Sequence, residues 1–307
     1  MLSFDYADRA RLALRGPDRV RFLHGMVTCD VEKLAAGGGS RAAMLSVKGR
    51  LLAELTVYAL PDELLLSMDL VLRDKVRALL DKHIVMDDVE VVDRSEELGE
   101  RGVYGDDAAT RLREALGVDV GALPPYHHVL AGEVRAAADP SLGGPGYRLL
   151  GARDALLRVG GEPMSAAEHE VRRVEAGTAR YGVDLDEERL VVEANLDDAI
   201  SFDKGCYLGQ EVVVRATSRG QVNRRLMGLL VEGDGPLPAG AKLSTATRAD
   251  AGVVTSSVVS PRMGGPIALA YVHRTAIESG EPLQIDGGAR TARAVPLPFD
   301  AATAARR

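Results

Sequence analysis

The sequence predicts an α+β protein in which mixed α/β modules are followed by a C-terminal β-barrel. Before about residue 225, strand patterns alternate with amphipathic helical patterns, whereas later segments are short, alternating and separated by Gly and Pro turns. The length of 307 residues suggests about two domains. We therefore predict domains over 1–225 and 226–307, with a break between two modules of the first domain near 95–150.

Local signals in the first domain predict strands and helices in alternation. Residues 11–16 alternate in hydrophobicity and stop at Gly16-Pro17, which is typical of a strand that enters a turn. A short helix is predicted over 18–23, with Pro17 near its first turn. The next elements are, in chain order, a hairpin over 51–60 and 63–68, a helix on the face Leu72, Val76, Leu79 and Leu80, strands over 89–92 and near Val103, and a helix over 108–116 stopped by Gly117.

Two signals define the remaining elements. Ser165–Glu168 matches a capping box, which predicts a helix that runs to about Ala176 and stops at Gly177. From Arg225 onward, the segments LMGLLVEG, AGVVTSSVVS, IALAYV and LQID alternate as barrel strands do.

Composition and charge exclude several classes of protein. The net charge of −7 argues against a general affinity for phosphate backbones, so no direct nucleic-acid partner is expected. No window approaches the roughly 18 apolar residues of a membrane span. Cys29 and Cys206 form neither a disulfide framework nor a metal-binding spacing, so we predict a reducing, cytoplasmic location. A protein-held iron–sulfur cluster needs about four thiolates, more than this chain has.

Short motifs of several enzyme classes are missing from the sequence, namely GxSxG, HExxH and a Walker loop. His127 and His128 follow Pro124-Pro125 in a predicted loop. We interpret them as a solvated pair, with a ligand role as the alternative.

Glu193 is a candidate binding residue. It follows the apolar residues Leu190, Val191 and Val192, so we expect it to emerge from a buried segment into a cleft. A carboxylate there can accept two N–H bonds from a guanidine-like edge, which is a strong charge-assisted geometry. A solvated loop glutamate is the alternative.

The block KGCYLGQE, over Lys204–Glu211, concentrates chemistry-bearing residues. Its two glycines indicate close backbone approach or positive φ. Cys206 lies close to Lys204 and near the start of a predicted helix, and both features favour a reactive thiolate. A small buried cysteine is the alternative. A basic stretch suited to an anionic ligand tail follows, unless it only reflects the high arginine content of the chain: Arg215, Arg219, Arg224 and Arg225.

Three runs of residues occur together in one known family. KGCYLGQE is followed by VxRxTSRGQVNRRL, an RxExGxxxxGxD run spans Arg173–Asp184, and an LxGxDRxxFLxGxxTxDV run spans Leu14–Val31. Together they resemble the YgfZ family, which comprises folate-binding proteins of iron–sulfur cluster maintenance related to the glycine-cleavage T-protein. The resemblance covers most of the chain in order.

The resemblance implies a fold and a ligand. It implies a glycine-cleavage T-protein-like fold, with folate-binding modules around a central cleft and a C-terminal β-barrel. Tetrahydrofolate or a derivative is the implied cofactor. Cys206 falls on the cysteine that separates this family from true T-proteins, and it is implied to act as a thiolate in cluster or redox chemistry, or as a transient metal ligand. The implied cofactor-binding residues are Glu193, at the position of a pterin-binding glutamate, and Lys204, Gly205, Tyr207, Gly209, Gln210, Glu211 and Arg215.

The chain departs from the family pattern near the implied site. Val191 replaces a proline and Cys29 replaces an asparagine, while His24 and Met26 replace two glutamines. Where T-proteins carry a catalytic Asp-Asp pair, at most one carboxylate remains, as Glu54. We therefore expect activation of the folate nitrogen, and aminomethyl transfer with it, to be lost.

The resemblance implies a cytoplasmic folate-binding protein that supports iron–sulfur cluster assembly or repair, as an assembly factor rather than an enzyme. Its implied partners are iron–sulfur client or carrier proteins, with an indirect effect on cluster-dependent tRNA-modifying enzymes. The first alternative is a folate-dependent aminomethyltransferase of the glycine-cleavage type. The second is a pure folate-binding module in which Cys206 is an inert core residue.

Overall fold

The computed structural model describes residues 1–218, 222–300 and 302. They form two compact units that alternate along the chain. Unit 1 comprises Met1–Pro140, Gly144–Ser165 and Asp197–Gln210, and unit 2 comprises Ser141–Gly143, Ala166–Leu196 and the described residues from Glu211 onward. The predicted division into domains at residue 225 stays a prediction.

Unit 1 contains eleven strands and four helices among its described residues. The strands are β1 (Leu2–Asp5), β2 (Arg9–Arg15), β3 (Gly39–Leu45), β4 (Leu51–Ala59), β5 (Leu64–Asp69), β6 (Glu90–Asp93), β7 (Gly99–Tyr104), β8 (His128–Ala131), β9 (Val134–Ala138), β10 (Gly146–Gly151) and β11 (Glu162–Pro163). The helices are α1 (Arg19–Met26), α2 (Arg73–His83), α3 (Ala108–Leu116) and α4 (Arg153–Leu157).

These strands form two sheets, ordered β11-β1-β7-β10-β9-β8 and β3-β4-β5-β2-β6. Pairing is antiparallel except between β1 and β11. Apolar side chains of α3 and α4, including Leu112 and Leu156, pack on the first sheet around Leu149. A second cluster joins the two sheets, with Leu65 from β5 against Leu150 from β10. The core of unit 1 therefore lies on both faces of the first sheet.

Unit 2 combines two helices with a closed barrel that carries a third. The helices are α5 (Ala166–Glu175), α6 (Gln210–Ser218), which begins at the last residue of unit 1, and α7 (Arg274–Ser279). The barrel strands are β12 (Arg224–Val231), β13 (Lys242–Ser244), β14 (Gly252–Ser260), β15 (Gly265–His273), β16 (Leu283–Ile285) and β17 (Arg290–Val295). They close in the order β12-β15-β14-β13-β16-β17, because β17 also pairs with β12.

The mixed α/β modules and the closed barrel confirm the predicted fold class. Local signals placed several elements closely, since α3 has the predicted bounds and β4 and β5 form the predicted hairpin. Gly117 ends α3 in the left-handed conformation, with a φ of 72°. Among the described residues, no helix has the length and apolar character needed to span a membrane.

His128 corrects the prediction of a solvated loop pair. The turn after Pro124-Pro125 ends at once, because the Tyr126 N–H already donates to Ala138 at 2.9 Å. His128 consequently begins β8 and is only 4% exposed, whereas His127 is half-buried.

Candidate functional site

The segment 197–210 of unit 1 is hydrogen-bonded to α1 and to the residues that follow it. The Ser201 N–H donates to the Thr28 carbonyl at 2.9 Å, and the Leu208 N–H donates to the Gly25 carbonyl at 3.2 Å. Thr28 and Gly25 both belong to the N-terminal run over Leu14–Val31. The structure therefore brings the N-terminal run and the KGC block together within one unit.

Lys204 is buried, and its ammonium group donates to three backbone carbonyls. The Nζ–O distances are 2.5 Å to His24, 2.7 Å to Val27 and 2.9 Å to Cys29. An ammonium group has three N–H donors, so these contacts use all of them. Burial lowers the pKa of Lys204 to about 8, and the nearby Cys29 and Asp30 partly oppose this shift.

Tyr207 and Gly209, in the same block, are both closely packed. The Tyr207 ring is buried, its centroid lies 5.0 Å from the Lys204 ammonium, and burial raises the pKa of its hydroxyl. Gly209 has a φ of 84°, and an added Cβ would lie 2.5 Å from the Ser46 carbonyl oxygen. Gly209 therefore meets both conditions expected of a glycine in this block. Gly205 meets neither, since an added Cβ there would lie 3.7 Å from Nε2 of His24.

The two cysteines have opposite environments. Cys206 is exposed and precedes α6, whereas Cys29 is buried. Burial raises the pKa of Cys29 to about 11, against the opposing effect of Lys204. Cys206 is thus not the inert core cysteine of the second alternative. Gln210, half-buried, donates its N–H to Tyr207 at 3.2 Å.

Glu193 lies in unit 2, at the end of a 3₁₀ turn over Val191–Glu193. Glu193 is half-buried between the buried residues Val192 and Ala194, so it is a partly accessible point in a mostly buried stretch. Oε2 accepts the Leu190 N–H at 3.1 Å. Within the described part of the chain, Oε1 accepts no hydrogen bond.

The RxExGxxxxGxD run fastens α5 to the barrel inside unit 2. Arg173 donates to Asp184 and to the Ser256 hydroxyl, both at 2.8 Å. Asp184 also accepts from the hydroxyls of Ser256 at 2.7 Å and of Thr255 at 2.5 Å. Neighbouring strand residues normally face opposite ways, but a bulge at Val254/Ser256 turns both hydroxyls toward one carboxylate.

The arginines of the basic stretch have different environments, so their charges do not form a uniform positive surface. Arg224 pairs with Asp250 at 2.6 Å, and Arg225 donates to the side chain of Asn195 at 3.2 Å. Arg215 is exposed on α6. Arg219 lies outside the described residues, and a role of this stretch in holding an anionic ligand tail stays a prediction.

A polar cluster in unit 1 contains Glu54 and three residues that no sequence motif marks. Arg41 on β3 pairs with Glu54 on β4 at 2.8 Å and with Asp198 at 3.5 Å. The Tyr126 hydroxyl donates to Asp198 at 3.2 Å. Burial lowers the pKa of Arg41, but the carboxylates of Glu54 and Asp198 outweigh it and raise this pKa above its usual range. No local signal connects these residues, because they come from three distant segments.

The sequence-predicted site residues are distributed over both units. Those in unit 1 are Lys204, Gly205, Cys206, Tyr207, Gly209 and Gln210, and those in unit 2 are Glu193, Glu211 and Arg215. Within the described ranges, no three His, Cys, Asp or Glu side chains are grouped so that they could hold a metal ion.

Comparison with known proteins identifies the class. The model of the GCVT N-terminal domain matches residues 2–138, and that of the glycine cleavage T-protein C-terminal barrel domain matches residues 224–300. An aminomethyltransferase of Rubrobacter xylanophilus is 32% identical to this chain, over 96% of the chain and 82% of its own length. One of Herpetosiphon aurantiacus is 29% identical, over 92% and 81%. The chain therefore belongs to the glycine-cleavage T-protein family.

A solved structure supports the fold. The crystal structure of the glycine cleavage system aminomethyltransferase T from Bartonella henselae has a TM-score of 0.87 to this chain. It covers 97% of this chain and 86% of its own, at 23% sequence identity. The glycine-cleavage T-protein-like fold implied by the resemblance is thus confirmed.

The comparisons contradict the main functional expectation. A role in iron–sulfur cluster assembly or repair, with its indirect effect on tRNA-modifying enzymes, was implied by the YgfZ resemblance. The relatives that match nearly the whole chain are instead named aminomethyltransferases. They favour the first alternative. The expectation gave too much weight to one eight-residue block and to the loss of the Asp-Asp pair.

Proposed function

We propose that this chain is a tetrahydrofolate-dependent aminomethyltransferase of the glycine-cleavage type. The observation that carries the proposal is the 32% identity to an aminomethyltransferase over 96% of the chain. The family uses tetrahydrofolate, in agreement with the cofactor expected from the sequence. The narrower YgfZ-like lineage, indicated by the Lys204–Glu211 block, is proposed here only as a branch of this family.

Glu193 is the residue we propose for the pterin edge of the folate. A pterin presents adjacent N–H donors, and a carboxylate accepts such a pair with two oxygens. Oε1 of Glu193 is free of partners within the described residues, and Oε2 has a second lone pair beyond its bond to Leu190. The donor and acceptor chemistry of this side chain therefore fits the ligand.

Glu54 is the residue we propose as the remaining carboxylate of the transfer chemistry. Bound tetrahydrofolate supplies the nitrogen that accepts the one-carbon unit. Arg41 pairs with Glu54 at 2.8 Å, which fixes the position of this carboxylate. The carboxylate of Glu54 can stabilise positive charge that develops on a nearby nitrogen.

Tetrahydrofolate binding and turnover test the proposal. We expect Glu193→Gln to weaken tetrahydrofolate binding by roughly 10- to 100-fold, since the charge-assisted pair is replaced by a neutral amide. Isothermal titration calorimetry measures this effect. Glu278→Gln, an exposed carboxylate of α7 in the same unit, is the matched control and should leave the affinity unchanged.

Formation of methylene-tetrahydrofolate from an aminomethyl donor separates an enzyme from a binding module. Wild type should form the product, and Glu54→Gln should lower kcat while leaving the affinity for tetrahydrofolate nearly unchanged. A wild-type protein that binds folate without transfer would contradict the proposed activity and revive the second alternative.

A reducing location such as the cytoplasm is part of the proposal. Both cysteines are free thiols, which fits a reducing compartment.

A further inference from the structure

Three backbone carbonyls converge at the C-terminal end of α1. This helix has eight residues and ends at Met26. The last carbonyls of a helix lack intrahelical partners and carry the negative end of its dipole. Val27 leaves the helix in an extended conformation, and the carbonyls of His24, Val27 and Cys29 then lie around one point. We call this arrangement the carbonyl cage.

The Lys204 ammonium occupies the carbonyl cage as a built-in cation. Its distances to the three oxygens are 2.5, 2.7 and 2.9 Å, and the side chain is buried. The Tyr207 ring closes another side, with its centroid 5.0 Å from Nζ. All three ammonium protons are engaged with backbone, so none is left for an anionic ligand.

We propose that Lys204 is a positioning residue. Its ammonium group, held in the carbonyl cage, fixes the start of the KGC block against the C-terminal end of α1. Without this ammonium group, the cage is a binding site for a small monovalent cation that carries N–H donors. This proposal goes beyond the proposed function and does not depend on it. It gives Lys204 a role different from direct folate contact.

Two backbone amides on either side of Lys204 show whether this segment stays bound to α1 and the residues after it. The Ser201 N–H donates to Thr28 at 2.9 Å, and the Leu208 N–H donates to Gly25 at 3.2 Å. Both acceptors lie in the same short stretch as the cage carbonyls. If the cage holds this segment, loss of its cation exposes both amides together.

Hydrogen exchange in a Lys204→Ala protein tests the proposal. We expect the amides of Ser201 and Leu208 to exchange about 10- to 100-fold faster than in wild type, the effect of losing charge-assisted hydrogen bonds. Amides of the barrel strands should be unchanged. Lys242→Ala, which removes an exposed lysine of β13, is the matched control.

Chemical rescue distinguishes a cation site from a general packing role. Ammonium or methylammonium chloride should restore slow exchange in the Lys204→Ala protein. Tetramethylammonium chloride at the same ionic strength should not, because this cation has no N–H donor. Exchange at the wild-type rate in Lys204→Ala, or equal effects of all three salts, overturns the proposal.

Two further measurements keep the test decisive. If Lys204→Ala does not fold, Lys204→Met preserves the apolar stem and is measured in the same way. In wild type, exchange of Ser201 and Leu208 at unprotected rates also overturns the proposal. If wild type binds no folate, the proposed function fails while the exchange result still decides the role of Lys204.

Discussion

Asp184 stabilises unit 2 through a buried ion pair. Its side chain is fully buried and pairs with Arg173, which is itself only 4% exposed. Asp184→Asn keeps the shape but removes the negative charge, so the buried guanidinium loses one of its counter-charges. We expect the free energy of unfolding to fall by about 3 kcal/mol, as for other broken buried ion pairs. Urea denaturation followed by circular dichroism measures the change.

Asp186→Asn is the matched control for this prediction. Asp186 lies two residues away, is 48% exposed and approaches Arg189 only to 3.7 Å. Surface pairs of this kind contribute about 0–1 kcal/mol. Equal losses in the two variants would show that the buried pair is not a special source of stability.

The sequence could suggest Asp184 only in part. Arg173 and Asp184 lie in one run, so their pairing is a short-range relation. Thr255 and Ser256 lie more than seventy residues later, and their approach depends on a bulge in β14. No pattern of hydrophobicity encodes such a bulge, because it arises from the register of a strand with its neighbour.

At the scale of an element, the turn before α6 depends on one glycine. Gly209 has a φ of 84° and leaves only 2.5 Å between an added Cβ and the Ser46 carbonyl oxygen. Gly209→Ala should therefore destabilise unit 1 by about 1–3 kcal/mol. Gly205→Ala, whose Cβ would meet its neighbour at an ordinary 3.7 Å, should be nearly neutral. Thermal unfolding of both variants makes the comparison, and similar melting temperatures would contradict it.

Elements and hairpins that local signals mark were predictable from the sequence, whereas contacts between distant segments were not. The hairpin of β4 and β5 is marked by Pro61-Asp62, and the end of α3 by Gly117, since each signal acts within a few residues. The strand at His128 was missed because its pairing with β9 begins directly after a proline turn. The cluster of Arg41, Glu54 and Asp198 was missed as a set because β3 and β4 pair only in the folded sheet, and Asp198 lies 157 residues after Arg41.

At the scale of the whole molecule, the proposed function rests on the extent of the likeness rather than on one motif. The KGC block is specific, but it spans eight residues, whereas the likeness to an aminomethyltransferase spans 96% of the chain. Predicted site residues are distributed over both units, so a fragment limited to one unit lacks part of the set. The KGC block is therefore a local feature of this member of the family. The activity is proposed for the entire chain.

At the same scale, we predict that the buried His128 makes the stability of unit 1 depend on pH in the acid range. Burial, and next the neighbouring Arg135, lower the pKa of His128 from 6.5 to about 4. The Arg135 guanidinium donates to Nδ1 at 2.9 Å, which requires the neutral ring. The unfolded chain therefore takes up this proton at a higher pH than the folded unit does. The stability that His128 contributes is present above pH 6.5 and is lost as the pH falls toward 4.

The expected loss is about 3.5 kcal/mol, from a pKa difference of roughly two and a half units at about 1.4 kcal/mol per unit. His128→Gln keeps a polar side chain that does not titrate, so its free energy of unfolding should depend less on pH between 6.5 and 4 than that of wild type. Urea denaturation at a series of pH values measures this slope. His127→Gln, at the half-buried neighbour, should retain the wild-type slope. Parallel pH profiles for wild type and His128→Gln would show that His128 is not the group that limits acid stability.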